Sequence, residues 1–224
     1  MRRIELVVPR ATLRAMGKPI GAVFVLLGLS AGCIGPAQDD PNRTEIPEEE
    51  LALRGQQSNV VVGLRSFEDD GFQNMDDQLA LAIDYGVPIG LPSLRLEGGL
   101  HYSFDETSGE LSNGGGEDLE TYTIEFSLGP NVSVLAGRFR PYVGVGGSAL
   151  FVQQRAIDRV ADDVVSDNDI TWGGYLKAGV LYQFAHTAHI GLEYRRLQAK
   201  DVTLNGEDVE GTYDQIALVV GATF

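Results

Sequence analysis

Alternation of apolar and other residues is the feature that most constrains this chain, and it is clearest at the C-terminus. Read as an extended strand, the last stretch is wholly apolar on one side and small or mixed on the other. Chain ends usually fray, and a frayed end has no need of such a pattern. The stretch therefore predicts a terminal strand that completes a sheet. Its apolar side consists of Ile216, Leu218, Val220, Ala222 and Phe224.

Seven earlier segments repeat this alternation, and no amphipathic helix of comparable length competes with them. Each is about 8 to 13 residues long, and a tilted strand crosses a bilayer in about 9 to 11. The sequence is thus predicted to be all-β, with about eight antiparallel strands in an up-and-down transmembrane barrel over residues 59–224. The apolar faces of the seven segments begin at Val60, Leu79, Leu94, Tyr122, Val143, Trp172 and Ile190.

The connections between these segments alternate in length. The long ones are acidic or glycine-rich and cover residues 68–77, 105–120, 154–170 and 198–212. Those at 87–92 and 185–188 are short, and the one at 129–141 is intermediate. Alternate long and short connections are typical of a membrane barrel with outward loops and tight periplasmic turns.

The N-terminus has the layout of an export signal. A charged entry at Lys18 precedes an apolar run of about 13 residues, followed by small residues that lead to Cys33. This run is too short to span a bilayer, because a spanning helix needs roughly 20 apolar residues. Residues 1–32 are therefore predicted to be a signal peptide, with translation starting at Met1 or Met16.

Cys33 is the single cysteine and follows the sequence Leu-Ser-Ala-Gly. This order resembles the lipobox of bacterial lipoproteins, although Ser30 holds the place where leucine is most typical. Lipidation of Cys33 and ordinary cleavage nearby are the two alternatives, and neither allows an internal disulfide. Residues 33–58 are rich in acidic residues, proline and glutamine, which predicts a disordered acidic tether.

The net charge of the chain excludes one class of partner. The sequence has 17 Lys and Arg against 32 Asp and Glu. Such an acidic surface repels nucleic acid, because nucleic-acid binding depends on neutralising phosphates.

Charged residues occupy the strand positions opposite the apolar side and are predicted to face the lumen. An eight-stranded barrel has an interior just wide enough to be filled by side chains. Charges of both signs confined there should pair, because an unpaired charge away from water is costly. The lumen is therefore predicted to be plugged. The charged lumen residues are Arg65, Asp84, Arg95, Glu97, Glu125, Lys177, Glu193 and Arg195, accompanied by Gln215, Gly144, Gly146, Gly179 and Gly191.

Aromatic residues on the apolar side are predicted to form girdles at the two membrane interfaces. The loop-side girdle consists of Tyr102, Phe104, Tyr122, Phe151 and Trp172, and the turn-side girdle of Tyr85, Tyr182, Phe184 and Phe224.

Catalysis and metal binding have weak candidates in this sequence. His101, Ser103 and Glu125 all lie on inward-facing strand positions. A set of serine, histidine and glutamate has the functional groups that acyl transfer requires. Lone histidines such as His186 and His189 in a short turn are usually surface residues. The Asp162, Asp163, Asp167 and Asp169 group has calcium-type ligands but lacks EF-hand spacing, which favours a solvated loop. The chain is predicted to be neither an enzyme nor a cofactor protein.

The segments "RFRPYVGVGGS", "GYLKAGVLYQF", "HIGLEYRR" and "IALVVGATF" resemble the small outer-membrane β-barrels of the OmpA/OmpX type over Asn59–Phe224. The resemblance implies an outer membrane of the Gram-negative type, with the tether in the periplasm and membrane lipids around the barrel. It also implies that the last strand, ending in Phe224, is the insertion signal read by the barrel-assembly machinery.

A monomeric scaffold with acidic extracellular loops is the expected function, serving envelope integrity, adhesion or surface interaction with an unknown extracellular partner. A lipid-anchored, lipocalin-like carrier is the alternative, and its apolar face would turn inward around a hydrophobic ligand. A narrow porin or a lipid-modifying barrel enzyme is less favoured.

Overall fold

A computed structural model describes residues 53–68, 78–110, 116–158, 163–185, 187–204 and 207–224. Eight strands form a closed antiparallel barrel, which confirms the predicted fold class. A separate two-stranded hairpin pairs β8 (Asp201–Leu204) with β9 (Glu207–Glu210). The barrel strands are β1 (Gln57–Phe67), β2 (Gln78–Pro88), β3 (Leu94–Glu110), β4 (Gly116–Ser133), β5 (Phe139–Asp158), β6 (Asp163–Gln183), β7 (Ala188–Ala199) and β10 (Tyr213–Thr223).

The last strand closes the barrel against the first. β10 pairs with β1 in a register that joins Leu64 to Ile216, and its other edge pairs with β7. Gln56 and Phe224 extend the closure with two reciprocal backbone hydrogen bonds of 2.8 and 2.9 Å. β1 begins at Gln57, two residues before the barrel start that the sequence predicted. The terminal alternating stretch is therefore the closing strand.

The two ends of the barrel are built differently. The turn end has the short connections 89–93, 134–138 and 184–187. At the opposite loop end, β3 to β6 run for 17 to 21 residues, against 11 or 12 for the other four barrel strands. The prediction that 105–120 and 154–170 are loops is therefore wrong for most of their length. Antiparallel backbone pairing continues beyond the apolar belt because it requires no apolar side chain.

Alternation separates an apolar wall from a polar interior. On β1 and β10, Leu64 and Ile216 are 57% and 68% exposed, whereas Arg65 and Gln215 are buried. The wall is therefore the face that meets lipid, and the lipocalin-like alternative is wrong because the apolar side points outward. No helix in the described ranges is long and apolar enough to cross a membrane.

Glycines inside the barrel lie opposite its largest interior side chains. Gly179 is the register partner of Tyr142, and a Cβ on Gly179 would come within 2.6 Å of the Tyr142 ring. Gly146 is related to Tyr175 in the same way. A barrel this narrow accommodates bulky interior residues only where the facing position is small. The other two predicted interior glycines face large partners as well, Gly144 with Lys177 and Gly191 with Leu181.

Candidate functional site

All eight charged residues predicted to face the lumen are buried inside the barrel. None is more than 6% exposed, although they come from six different strands. Alternation places them there, because each lies between two outward-facing neighbours. Seven of them form two clusters of opposite charge, each centred on one residue, and Arg95 lies apart from both at the turn end.

Glu125 on β4 is the centre of the first cluster, which we call the Glu125 hub. Its Oε1 lies 2.5 Å from Arg195 Nη2, and its Oε2 lies 3.2 Å from Arg65 Nη2. Ser148 Oγ donates to Oε1 at 2.6 Å, and the Tyr213 hydroxyl donates to Oε2. One carboxylate thus connects β1, β5, β7 and β10 across the lumen.

Lys177 on β6 is the centre of the second cluster, the Lys177 hub. Its Nζ lies 3.0 Å from Asp84 Oδ2 and 3.2 Å from Glu193 Oε2, and it also pairs with Glu97. The Tyr142 hydroxyl donates to Glu193 Oε2 at 2.7 Å. One ammonium therefore holds three carboxylates from β2, β3 and β7, the reverse of the charge pattern around Glu125.

Polar contacts line the turn end of the lumen. Arg95 donates to Ser133 Oγ and to the carbonyl of Leu53, both at 3.0 Å. His189 is 2% exposed, and its Nε2 lies 2.8 Å from Asn59 Oδ1. The prediction of a surface histidine is therefore wrong for His189, because its strand position points inward. Leu53, inside the predicted tether, contacts the barrel.

An apolar cluster lies inside the loop end of the barrel. The β8–β9 hairpin contributes Val202 and Val209, which pack on inward residues of the barrel. The hairpin is held to β6 by the Thr203 amide, which donates to Asp169 Oδ2 at 2.8 Å. Sequence reasoning missed these residues because it followed only the charged inward positions, although the same alternation marks them. The barrel members are Phe67, Leu150, Val152, Tyr175, Leu197 and Tyr213.

The predicted girdle residues lie on outward strand positions, except Phe184 and Phe224, which are exposed just beyond the ends of β6 and β10. Trp172 is 68% exposed on the wall, and the Tyr102 and Phe104 rings stack with centroids 6.1 Å apart. The predicted insertion-signal residues Ile216, Leu218, Val220, Ala222 and Phe224 share the same outer wall.

The three candidate acyl-transfer residues are engaged separately. The Ser103 hydroxyl donates to Gln78 Oε1 at 2.6 Å and lies 2.5 Å from Thr123 Oγ1. His101 Nε2 lies 3.2 Å from Asp84 Oδ1, and Glu125 is held by two arginines. Among the described residues, neither His101 nor Glu125 is hydrogen-bonded to the Ser103 hydroxyl.

The candidate calcium residues lie on a strand, because Asp163, Asp167 and Asp169 belong to β6. Within the described ranges, no group of His, Cys, Asp and Glu has the geometry to hold a metal ion. The predicted signal peptide, Cys33, His186 and Asp162 lie outside the described residues.

The fold and its charged interior define a small transmembrane β-barrel, and the sequence identifies the family. Residues 24–224 match the model of the outer membrane protein beta-barrel domain, so the chain belongs to that family. No protein of curated function matches the sequence.

The chain is also similar to several solved structures. The chain is similar to Ail, the attachment invasion locus protein of Yersinia pestis, in complex with the heparin analogue sucrose octasulfate, at 13% identity and a TM-score of 0.51 over 76% of this chain and 99% of that one. It is also similar to Neisserial surface protein A, at 17% identity and a TM-score of 0.45 over 75% and 96%. A third similar structure is OprG of Pseudomonas aeruginosa, at 12% identity and a TM-score of 0.47 over 75% and 93%. At these identities the likeness shows the fold alone.

Proposed function

We propose that this protein is a non-enzymatic, monomeric outer-membrane scaffold that displays an acidic surface at its loop end and has a closed lumen. The observation that carries the proposal is the contrast between the two ends. The loop-end segments 68–77 and 105–120 carry acidic residues and no Lys or Arg, whereas the turns at 89–93, 134–138 and 184–187 carry no acidic residue. The negative charge therefore collects where the longest strands project.

The closed lumen is supported by the interior contacts. The Glu125 and Lys177 hubs fill the middle, the β8–β9 hairpin packs over the loop end, and Arg95 with Leu53 closes the turn end. A conducting path would have to separate buried ion pairs, which is strongly unfavourable. The scaffold therefore acts through its surface.

The surface favours a positively charged partner. Asp201, Asp208 and Glu210 lie on the exposed face of the hairpin, opposite the buried Val202 and Val209. The Yersinia pestis neighbour was crystallised with a polysulfated heparin analogue. A polysulfate would be repelled by the acidic loop end of this chain, because like charges facing each other disfavour association.

Binding of charged probes tests the proposal. We expect a fluorescent oligolysine peptide to bind the protein in nanodiscs at low salt, and heparin not to bind. The combination Asp201→Asn, Asp208→Asn and Glu210→Gln should weaken oligolysine binding roughly tenfold, given up to about 1 kcal/mol per exposed charge pair. Arg138→Gln at the turn end is the control and should leave binding unchanged. Heparin binding, or equal oligolysine binding by the triple variant, would refute the proposal.

A further inference from the structure

The apolar wall is interrupted on one side of the barrel by charged residues. On β7 the outward positions after Tyr194 are Arg196 and Gln198, and the exposed Lys200 follows the end of the strand. On β6, which is paired with β7, the outward residues toward the loop end remain apolar or small through Leu176, Gly174, Trp172 and Ile170. Paired residues on strands tilted by about 40° differ in height by only about 3 Å. The apolar band is therefore shorter on β7 than on β6.

Arg196 lies at the centre of this interruption. Its Nη2 is 2.7 Å from Glu68 Oε1, and its Nη1 is 3.0 Å from Asp214 Oδ2 on β10. The Tyr194 hydroxyl donates to Asp214 Oδ1 at 2.5 Å. We call these four residues the wall cluster. The side chains of Arg196, Glu68 and Asp214 are 34 to 40% exposed on the face that elsewhere meets lipid.

Register places the wall cluster beside the loop-side girdle. Asp214 and Arg196 form the next outward-facing pair toward the loop end after Ile216 and Tyr194. From Ile216 the register leads through Leu64 to Phe104 on β3, whereas from its partner Tyr194 the register in the other direction around the barrel leads to Leu94 on β3. Each step around a tilted barrel shifts the height, so the level of this pair on β3 lies midway between the two, near Gly99. The wall cluster is one pair nearer the loop end, at about the level of Tyr102, so the opposite wall carries aromatic side chains where the wall cluster carries three charges.

We infer that the β7–β10 wall is a local lipid-head-group site, where the polar layer of the membrane descends further along the barrel than on the β3–β6 side. Charged residues facing lipid are destabilising at depth and cost little near the interface. Proteins with a short apolar band are accommodated by local thinning of the bilayer. Head groups and their water would then solvate Arg196, Glu68 and Asp214, which the apolar chains cannot do.

The single tryptophan of the chain provides the reference for a test. Trp172 reports on the β6 wall in the native sequence. In a Trp172→Phe background, Gln198→Trp reports on the wall cluster, and Phe104→Trp is the control on the opposite wall. Each protein is placed one per nanodisc in phosphatidylcholine brominated on the acyl chains, and quenching of fluorescence is measured. Heat-dependent gel migration shows that each variant is folded.

We expect acyl-chain bromines to quench the Gln198→Trp reporter roughly twofold less than Trp172 or the Phe104→Trp reporter, because head groups replace chains there. Aqueous iodide should quench it more. Adding Arg196→Leu and Asp214→Leu should raise its acyl-chain quenching toward that of Trp172. Equal acyl-chain quenching of all three reporters would overturn the inference. Shielding of the Gln198→Trp reporter from both bromine and iodide would also overturn it, because a second copy or another protein would then cover this wall. The inference would fail as well if the added substitutions left the quenching of this reporter unchanged.

Discussion

The interior and the outer wall of the barrel come from the same strands but follow different rules. The interior positions are specific, because Glu125, Lys177 and the tyrosines each need particular partners at particular positions. The wall positions need only to be apolar, because lipid chains accept any shape. The comparison teaches that alternate residues of one strand meet two independent requirements. The inward residues must fit particular partners across the lumen, and the outward residues must suit the membrane.

Glu125→Leu is expected to produce the largest effect, because it leaves Arg65 and Arg195 buried without their carboxylate. Removing one partner of a buried ion pair typically costs about 3 to 5 kcal/mol. The temperature at which the folded gel band converts to the unfolded band should fall strongly, and no change of pH in the accessible range should restore it, because arginine stays protonated throughout that range. A wild-type transition temperature would show that the hub is not required.

Lys177→Met should be nearly as damaging at neutral pH, because Asp84, Glu97 and Glu193 then face one another without a cation. Carboxylates, unlike arginines, can accept protons, and the repulsion between neighbouring negative charges favours protonation. The variant interior tolerates these carboxylates better when they are protonated, so the stability of the variant should rise as the pH falls from about 8 to about 5. The same gel assay across that range checks it. A loss independent of pH would contradict the charge reversal between the two hubs.

Gly179→Ala and Gly147→Ala compare the cost of adding one methyl group in the interior and on the wall. A Cβ on Gly179 would lie 2.6 Å from Leu192 O and from the Tyr142 ring, whereas one on Gly147 meets nothing closer than 3.9 Å. Overpacking of this kind costs about 1 to 3 kcal/mol, so Gly179→Ala should be destabilising and Gly147→Ala close to neutral. Equal transition temperatures would break the comparison.

Leu192→Ile should have the smallest effect. Leu192 is 60% exposed on the wall, and the change conserves its volume and apolar character. We expect a change below about 0.5 kcal/mol, as for ordinary surface substitutions. Leu181→Ile is the interior match, since Leu181 is 2% exposed and faces Gly191. A larger loss for the wall substitution than for the interior one would mean that the wall is also specifically packed.

Alternation was sufficient to predict the strands and the side of each residue. It placed Arg65, Asp84 and Lys177 in the lumen and Phe224 at the end of the closing strand. It could not predict that Lys177 pairs with Glu193, because such contacts depend on the stagger between strands that are distant around the barrel. It also could not show that residues 154–158 and 163–170 belong to strands, since pairing there is carried by backbone groups that leave little trace in the side chains.

The central claim is that the interior is a closed, ion-paired core, and conductance across a planar bilayer tests it most directly. We expect the purified, folded protein to produce no steady channel current at neutral pH, because an ion would have to separate the buried ion pairs of the Glu125 and Lys177 hubs. Lys177→Met should produce more frequent current steps than the wild type, since it removes the cation that holds three carboxylates together. Regular, long-lived channel openings by the wild-type protein would contradict the account.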